Sequence, residues 1–140
     1  MYTKTVMMLK GLPASGKSTW AIDQVMQSKG KIKRINKDDL RSMLDAGEWS
    51  KENEAFIVWA RDTLVEIALS EGYSVIVDDT NFNPEHEQTL RQLANYQANF
   101  EVKHFDTPLE VCIERDALRH KPVGRAVIED MYNKYVKNTL

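Results

Sequence analysis

Two kinds of hydrophobic pattern alternate along this chain: short apolar runs, and longer stretches in which apolar residues recur every three or four positions. The short runs have the length and composition of buried strands. They cover Thr5–Leu9, Ile32–Ile35, Ser74–Val77 and Glu101–Phe105. Because helical stretches separate them, the pattern predicts a three-layer α/β domain with a mostly parallel central sheet.

The longer stretches predict helices, two of them with clear start signals. Asn83 followed by Pro84 predicts an N-cap and a first helical residue, and Thr107-Pro-Leu-Glu110 predicts a capping box. The predicted helices are Lys17–Gln27, Asp39–Leu44, Lys51–Leu69, 84–96, 108–119 and a last one after Gly124.

Helical spacing also predicts which faces are buried. For the first helix the predicted face is Ala21, Ile22, Val25 and Met26. For the long helix it is Phe56, Trp59, Ala60, Leu64, Ile67 and Ala68. For the last helix it is Val127, Ile128, Met131, Tyr132 and Tyr135.

Composition and charge limit the classes of protein to consider. The 140 residues suit a single domain over residues 1–140 with one sizeable core. A net charge of −2 argues against coating nucleic acid through bulk electrostatics, but it allows a local basic groove. The single cysteine, Cys112, excludes an internal disulfide and suits a buried helical position. With no long apolar run and no signal-peptide pattern, we expect a cytoplasmic protein with no membrane partner.

The most specific chemical signal is the segment Gly11–Ser18, which reads Gly-x4-Gly-Lys-Ser between a predicted strand and a predicted helix. Converging backbone N–H groups at a helix N-terminus form an anion site, which suits the phosphates of a nucleotide. Lys17 can reach the β- and γ-phosphates, and the Ser18 hydroxyl can ligate Mg²⁺. The alternative is a glycine-rich turn that only connects strand to helix.

A second signal is Asp78-Asp79-Thr80-Asn81, directly after the strand Ser74–Val77. In a parallel sheet, ligands bind beyond the carboxyl ends of the strands, so this segment should share an edge with the glycine loop. A carboxylate there can hold the Mg²⁺ shell or a substrate hydroxyl. The alternative is a strand-end turn with solvated acids.

A third signal is Asn36-Lys-Asp38-Asp39-Leu-Arg41, after the strand Ile32–Ile35. Asp38 could accept the proton of an attacking hydroxyl. Arg41, about one helical turn later, could bind an acceptor phosphate through two N–H groups. Taken alone, the acidic pair also suits an ordinary helix start.

A fourth signal is the pair Arg115 and Arg119, four residues apart on one predicted helical face. Two guanidinium groups aimed at one point suit the charge of a transferring phosphoryl group. The alternative is a solvated basic helix end.

Histidine and tryptophan positions add little to these signals. His86, His104 and His120 lack metal-ligand spacing, and we expect structural or surface roles for them. Trp20 and Trp59 are expected in the core or an interface. Trp49 lies in a loop-like segment, so it stays open as a base-stacking side chain.

Together, the four segments resemble the kinase module of polynucleotide 5′-hydroxyl kinases from phage and bacterial end-healing enzymes, over nearly the whole chain. The resemblance implies a P-loop NTPase-type fold, with ATP and Mg²⁺ as cofactors. It implies a helical lid over about residues 112–125. It also implies transfer of the ATP γ-phosphate to the 5′-OH end of DNA or RNA in nucleic-acid repair.

The resemblance assigns a role to each segment. Asp38 is the general base, and Lys17 and Arg119 complete the catalytic set. Nucleotide contacts fall on Gly11, Ala14, Ser15, Gly16, Lys17, Ser18, Thr19, Arg115 and Arg119. Acceptor contacts fall on Arg41, Asp79, Thr80 and Asn81. Ser18 is the expected metal ligand.

The sequence departs from that family in two places and leaves some alternatives open. Lys37 stands where arginine is common, and the segment between Arg119 and Met131 is slightly short. No Asp-x-Asp-Gly-Thr phosphatase signature is present, so a phosphatase or ligase would be a separate domain or protein. Homo-oligomers stay open. A kinase of a small-molecule hydroxyl (nucleoside, sugar or antibiotic) is the alternative function, and a non-catalytic ATP-binding module is a third.

Overall fold

A computed structural model of the chain describes residues 2–139. The strands are β1 (Thr5–Gly11), β2 (Ile32–Ile35), β3 (Ser74–Val77) and β4 (Asn99–Phe105). The helices are α1 (Lys17–Gln27), α2 (Lys37–Asp45), α3 (Lys51–Ser70), α4 (Pro84–Ala94), α5 (Leu109–Ala117) and α6 (Arg125–Met131). A π-helical turn, Tyr132–Val136, and a 3₁₀ turn, Lys137–Thr139, follow α6.

The four strands form one sheet in the order β2-β3-β1-β4, and every neighbouring pair is parallel. In the centre of the sheet Met7 of β1 faces Ile76 of β3 on one side and Glu101 of β4 on the other. The predicted α/β class with a parallel sheet is confirmed. Because parallel strands end at the same edge, the segments after β1, β2 and β3 come together there.

Side-chain alternation divides the core between the two faces of the sheet. Val6, Met8, Val75 and Val77 point to one face, where α3 and α4 cover them. Leu9, Ile76 and Ala21 of α1 form a cluster on the other face. A further cluster on the α5–α6 side contains Leu12, Cys112 and Ile128. The predicted burial of Cys112 is confirmed.

The buried face of α3 is not the predicted one. Its buried residues are Ile57, Arg61, Val65, Ala68 and Leu69, whereas Phe56, Trp59, Leu64 and Ile67 of the predicted stripe are exposed. The two faces are offset by one residue, and both are largely apolar. Helical spacing alone therefore cannot choose between them, and Arg61 made the correct face look polar.

The predicted buried faces of two other helices are also only partly buried. In α1, Ala21 is buried while Ile22 and Met26 are exposed. In the last predicted face, Val127 is exposed.

The predicted capping box at Thr107 is wrong. Helix α5 begins at Leu109 after Pro108 and has no side-chain cap. The Thr107 hydroxyl instead donates a hydrogen bond of 2.8 Å to the Ser15 carbonyl oxygen. That contact ties the segment after β4 to the glycine loop.

Other boundaries differ by a few residues. β1 extends to Gly11, β4 begins at Asn99, α2 begins at Lys37 and α4 ends at Ala94. The predicted N-cap Asn83 is confirmed, since its side chain accepts from the Glu85 N–H.

Within residues 2–139, no helix has both the length and the apolar character that crossing a membrane needs.

Candidate active site

A cavity of about 930 Å³ opens at the edge where β1, β2 and β3 end. Its walls come from the glycine loop, the first turns of α1 and α2, the segment after β3, and the α5–α6 region. It brings together most of the residues predicted from the sequence. These are Ala14, Gly16, Lys17, Ser18, Thr19, Asp38, Arg41, Asp79, Thr80, Arg115 and Arg119.

Three predicted residues do not line this cavity. Ser15 is buried in the loop. Asn81 is buried, and its amide donates to the Leu9 carbonyl oxygen at 2.7 Å, which joins the end of β3 to β1. Gly11 packs against β4, because a Cβ there would lie 2.8 Å from the Phe105 carbonyl oxygen. None of the three is thus placed to contact a ligand in the cavity through its side chain.

The glycine loop presents the N-terminus of α1 to the cavity. Gly16 is the N-cap, with φ of 104°, and no side chain caps the helix. A side chain would be strained at that φ, which explains a glycine at this position. The first N–H groups of α1 thus have no side-chain acceptor among the described residues, as an anion site requires.

Lys17 is buried beneath that loop. Its Nζ donates to the carbonyl oxygens of Gly11 at 2.9 Å and Leu12 at 2.6 Å, and to Ser15 Oγ at 3.3 Å. Burial lowers the pKa of Lys17 to about 8, although Asp78 and Asp79 oppose the shift. An arriving phosphate would add negative charge and favour the ammonium form.

Ser18 and Asp78 place a hydroxyl and a carboxylate side by side at the cavity. The Ser18 hydroxyl donates to Asp78 Oδ2 at 2.8 Å, while Asp78 Oδ1 is buried with no hydrogen-bond partner in the described chain. A hydroxyl and a carboxylate fit Mg²⁺. Arg34 also directs its Nε to Asp78 Oδ2 at 2.7 Å. The positive charge next to this carboxylate was not predicted from the sequence.

Asp38 and Arg41, both on α2, line the cavity together. Arg41 Nη1 donates to Asp38 Oδ1 at 2.6 Å. Its Nε and Nη2 donate to both carboxylate oxygens of Glu54 at 2.9 and 2.7 Å. The hydrogen bonds from Arg41 lower the pKa of Glu54. Glu54 was missed in the sequence because it lies in the first turn of α3, where acidic residues are common.

Asp79 lies beside this pair, nearly buried. Its Oδ1 accepts the Lys37 N–H at 2.8 Å. Burial raises the pKa of Asp79, against the opposing charges of Lys37 and Arg61. Arg61 is fully buried and was also missed, because nothing in the sequence separates it from a solvated arginine on a helix.

The turn that joins α5 to α6 forms one wall of the cavity through Arg119 and Val123. Asp116 is buried and accepts the N–H groups of Val123 at 3.0 Å and Gly124 at 2.9 Å. Arg119 Nη1 donates to the same carboxylate at 3.3 Å, and its side chain is 43% exposed. A carboxylate therefore fixes the turn that carries Arg119.

We expect acid to destabilise the fold through His86. Arg61 Nη2 lies 3.1 Å from His86 Nδ1, and a guanidinium can only donate, so His86 accepts and is neutral. Burial, Lys37 and Arg61 lower the pKa of His86 from 6.5 to about 4. Above pH 6.5 both states are neutral, whereas below it the unfolded state takes up the proton first. The free energy of unfolding should thus fall between pH 6.5 and about 4.

Urea unfolding across that range measures the effect. The variant His86→Gln should show a weaker fall than the wild type, and His104→Gln, at an exposed position, should behave as the wild type. Equal slopes for all three proteins would contradict the assignment.

The parallel sheet, the glycine loop at the N-terminus of α1 and the acidic strand ends define the class of protein: a P-loop kinase of three-layer α/β fold. The chain belongs to the AAA domain family, whose model matches residues 6–137.

Three known proteins illustrate what this chain is similar to. An L-seryl-tRNA(Sec) kinase of Methanococcus maripaludis is 31% identical over 93% of this chain and 52% of its own length. A putative bifunctional polynucleotide kinase/RNA ligase of Autographa californica nuclear polyhedrosis virus is 28% identical over 96% of this chain and 21% of its own. The solved Pnkp1/Rnl/Hen1 RNA repair complex contains a chain with a TM-score of 0.81 and 26% identity, covering 100% of this chain and 47% of that one. This chain thus spans about half the length of the first curated relative, and much less of the second.

Proposed function

We propose that this protein transfers the γ-phosphate of ATP to the 5′-OH end of a DNA or RNA strand. One observation carries the proposal: a single cavity is lined both by the glycine loop at the start of α1 and by the hydrogen-bonded Asp38–Arg41 pair. A carboxylate can take the hydroxyl proton, and a guanidinium beside it suits an acceptor that bears its own phosphate. Similarity to polynucleotide kinase proteins supports the same acceptor.

On the donor side, the loop N–H groups and Lys17 bind the phosphates of ATP. Arg115 lies on α5, whereas Arg119 lies in the turn after it and not on the helical face predicted from the sequence. Both line the cavity and would neutralise charge on the transferring group. Ser18 and Asp78 would hold Mg²⁺, which would neutralise negative charge on the ATP phosphates. Arg34 pairs with the same carboxylate and offsets part of its negative charge.

On the acceptor side, Asp38 orients the 5′-OH and accepts its proton. Arg41 is held from behind by Glu54 through two hydrogen bonds, so only its Nη1 faces Asp38. That N–H can turn to an acceptor phosphate without loss of the Glu54 contacts. Binding the acceptor thus frees Asp38 for the proton.

A second candidate rests on the first relative, which acts on L-seryl-tRNA: the acceptor hydroxyl would then belong to a seryl group. The other acceptor under this alternative is a free small molecule that carries a hydroxyl group. A ligase partner is part of the main proposal, because one relative joins kinase and ligase in its name and another lies in a complex with Rnl.

Phosphate transfer to a set of different acceptors tests the proposed function. Label from the γ-phosphate of ATP is followed into 5′-OH DNA, 5′-OH RNA, a nucleoside 3′-monophosphate, a free nucleoside and a seryl-tRNA. We expect the highest kcat/KM for the polynucleotides, a lower value for the 3′-monophosphate and almost none for the nucleoside. Preference for seryl-tRNA or the nucleoside would replace the proposal with its alternative.

Trp49 provides a further prediction about the acceptor strand. Its side chain is 71% exposed, and its loop is fixed by bonds from Gly47 N to the Arg41 carbonyl oxygen and from Asn53 Nδ2 to the Glu48 carbonyl oxygen. A base stacked on an aromatic ring contributes about 1–3 kcal/mol. Trp49→Ala should therefore raise KM for an oligonucleotide several-fold.

Two comparisons make this prediction specific. KM for the nucleoside 3′-monophosphate should not change in Trp49→Ala, because that acceptor has no second base. Trp59→Ala removes a tryptophan that is also exposed, at 61%, but lies along α3. It should leave both KM values unchanged. An unchanged oligonucleotide KM in Trp49→Ala would contradict base stacking.

A further inference from the structure

Arg61 is the largest fully buried side chain of the described protein, although it is an arginine. It lies in the middle of α3, on the face that packs against the sheet. Its Nε donates to Asp62 Oδ1 at 3.0 Å, and its Nη2 donates to His86 Nδ1 at 3.1 Å. A buried guanidinium is costly, and replacing buried ion pairs by apolar side chains is often neutral or stabilising. Stability alone is thus a weak reason for an arginine here.

The remaining nitrogen of Arg61 lies near Asp79, which lines the cavity. Nη1 lies 3.9 Å from Asp79 Oδ2, and both atoms are buried without a hydrogen-bond partner among the described residues. The other oxygen of Asp79 accepts the Lys37 N–H at 2.8 Å. The charge of Arg61 is therefore opposed by a carboxylate that itself holds the first residue of α2.

Lys37 immediately precedes Asp38, the proposed base. The N–H of a first helical residue has no acceptor inside its own helix, so its hydrogen bond must come from elsewhere. Here Asp79 provides it, while the next orphan donor, the Asp39 N–H, is capped by Asn36 Oδ1 at 2.8 Å. Two independent contacts therefore fix the first turn of α2. Arg61 lies next to Asp79, which makes one of these contacts.

We propose that Arg61 is a positioning residue for phosphoryl transfer: it holds Asp79 in place, and Asp79 sets the first turn of α2 so that Asp38 faces the acceptor hydroxyl. This inference rests on the proposed function for the identity of the reaction. The contacts that it invokes, however, are properties of the fold and have their own measurement.

Amide exchange provides the measurement that is independent of activity. The variant Arg61→Met keeps an unbranched side chain but removes the guanidinium. Asp79 then loses its opposing charge and its fixed orientation. We expect the Lys37 N–H to exchange about tenfold faster, as a weakened hydrogen bond allows. The Asp39 N–H, capped by Asn36, should exchange as in the wild type. Unchanged exchange at Lys37 would overturn the link.

Kinetics test the consequence for catalysis. A misplacement of about 1 Å can cost about 10²-fold in rate, so kcat of Arg61→Met should fall about 10–100-fold. KM for ATP should stay within about twofold, because the donor contacts lie on the glycine loop. Arg61→Lys keeps a charge near Asp79 and should recover much of the kcat. It also keeps the test valid if Arg61→Met does not fold.

Val65→Ala is the matched control for lost stability. Val65 is buried on the same face of α3, one turn from Arg61, and contacts the core of the sheet. It should lower the unfolding midpoint while leaving kcat and Lys37 exchange unchanged. If Val65→Ala loses kcat as Arg61→Met does, the role of Arg61 is structural only.

The wild-type protein separates the two proposals. If it transfers phosphate to no polynucleotide, the proposed function fails, and the amide exchange still decides the Arg61–Asp79–Lys37 link. If it is active while Arg61→Met keeps the wild-type kcat, the inference fails and the proposed function stands.

Discussion

Replacing Asp38 with asparagine is expected to lower kcat for phosphoryl transfer by about 10²–10⁴-fold, the usual loss when a general base is removed. Asparagine keeps the size of the side chain and can still accept from Arg41 Nη1, but it is a far weaker proton acceptor. ATP affinity should not change, because Asp38 belongs to α2 and not to the glycine loop that would bind the ATP phosphates. Label transfer and a nucleotide-binding titration measure the two effects.

The control for Asp38→Asn is Asp130→Asn. Asp130 is an exposed carboxylate of α6 that does not line the cavity, and its variant should have the wild-type kcat. If Asp38→Asn retains full activity, another group accepts the proton and the acceptor-side assignment is wrong. If it loses ATP binding as well, the carboxylate acts on the donor rather than on the acceptor.

The second large effect is expected for Lys17→Met, which should lower kcat by about 10²–10⁵-fold. Methionine retains most of the aliphatic side chain but removes the charge that would meet the ATP phosphates. The loss should appear for every acceptor alike, since Lys17 acts on the donor. Single-turnover label transfer with a 5′-OH oligonucleotide is the measurement.

Stability must be followed in the same variant, because Lys17 also has a role in the fold. Its Nζ donates to Gly11 O, Leu12 O and Ser15 Oγ. Removing that donor leaves buried acceptors unpaired, at a cost of about 1–3 kcal/mol. Lys31→Met, at an exposed position, provides the control. A folded Lys17→Met with wild-type kcat would contradict the phosphate-binding role.

The fold could be predicted well because its signals are local. The strands β2 and β3 and helix α1 have the predicted bounds, since each is a continuous run with clear ends. The motif segments follow β1, β2 and β3, and parallel pairing then brings them to one edge. The cavity walls formed by the glycine loop, the start of α2 and the segment after β3 follow from these two facts.

The rest depended on contacts between distant parts of the chain. The choice of buried face in α3 was decided by packing, not by spacing, and it brought Arg61 inward instead of Trp59. Arg34 and Glu54 belong to the site through ion pairs with Asp78 and Arg41. The spacing of residues along the sequence does not predict such ion pairs. Likewise, the Thr107 hydroxyl bonds to Ser15 rather than to its own helix.

The measurement that tests the account most directly is label transfer from the γ-phosphate of ATP, with Mg²⁺, to one oligonucleotide prepared with either a free or a methylated 5′-oxygen. Lys17→Met provides the blank. The account predicts label on the free 5′-OH strand alone, removable by a phosphomonoesterase, and none on the methylated strand. Equal labelling of the two strands would contradict the 5′-OH as acceptor. No label on either, with ATP still bound by the wild-type protein, would contradict polynucleotide phosphorylation itself.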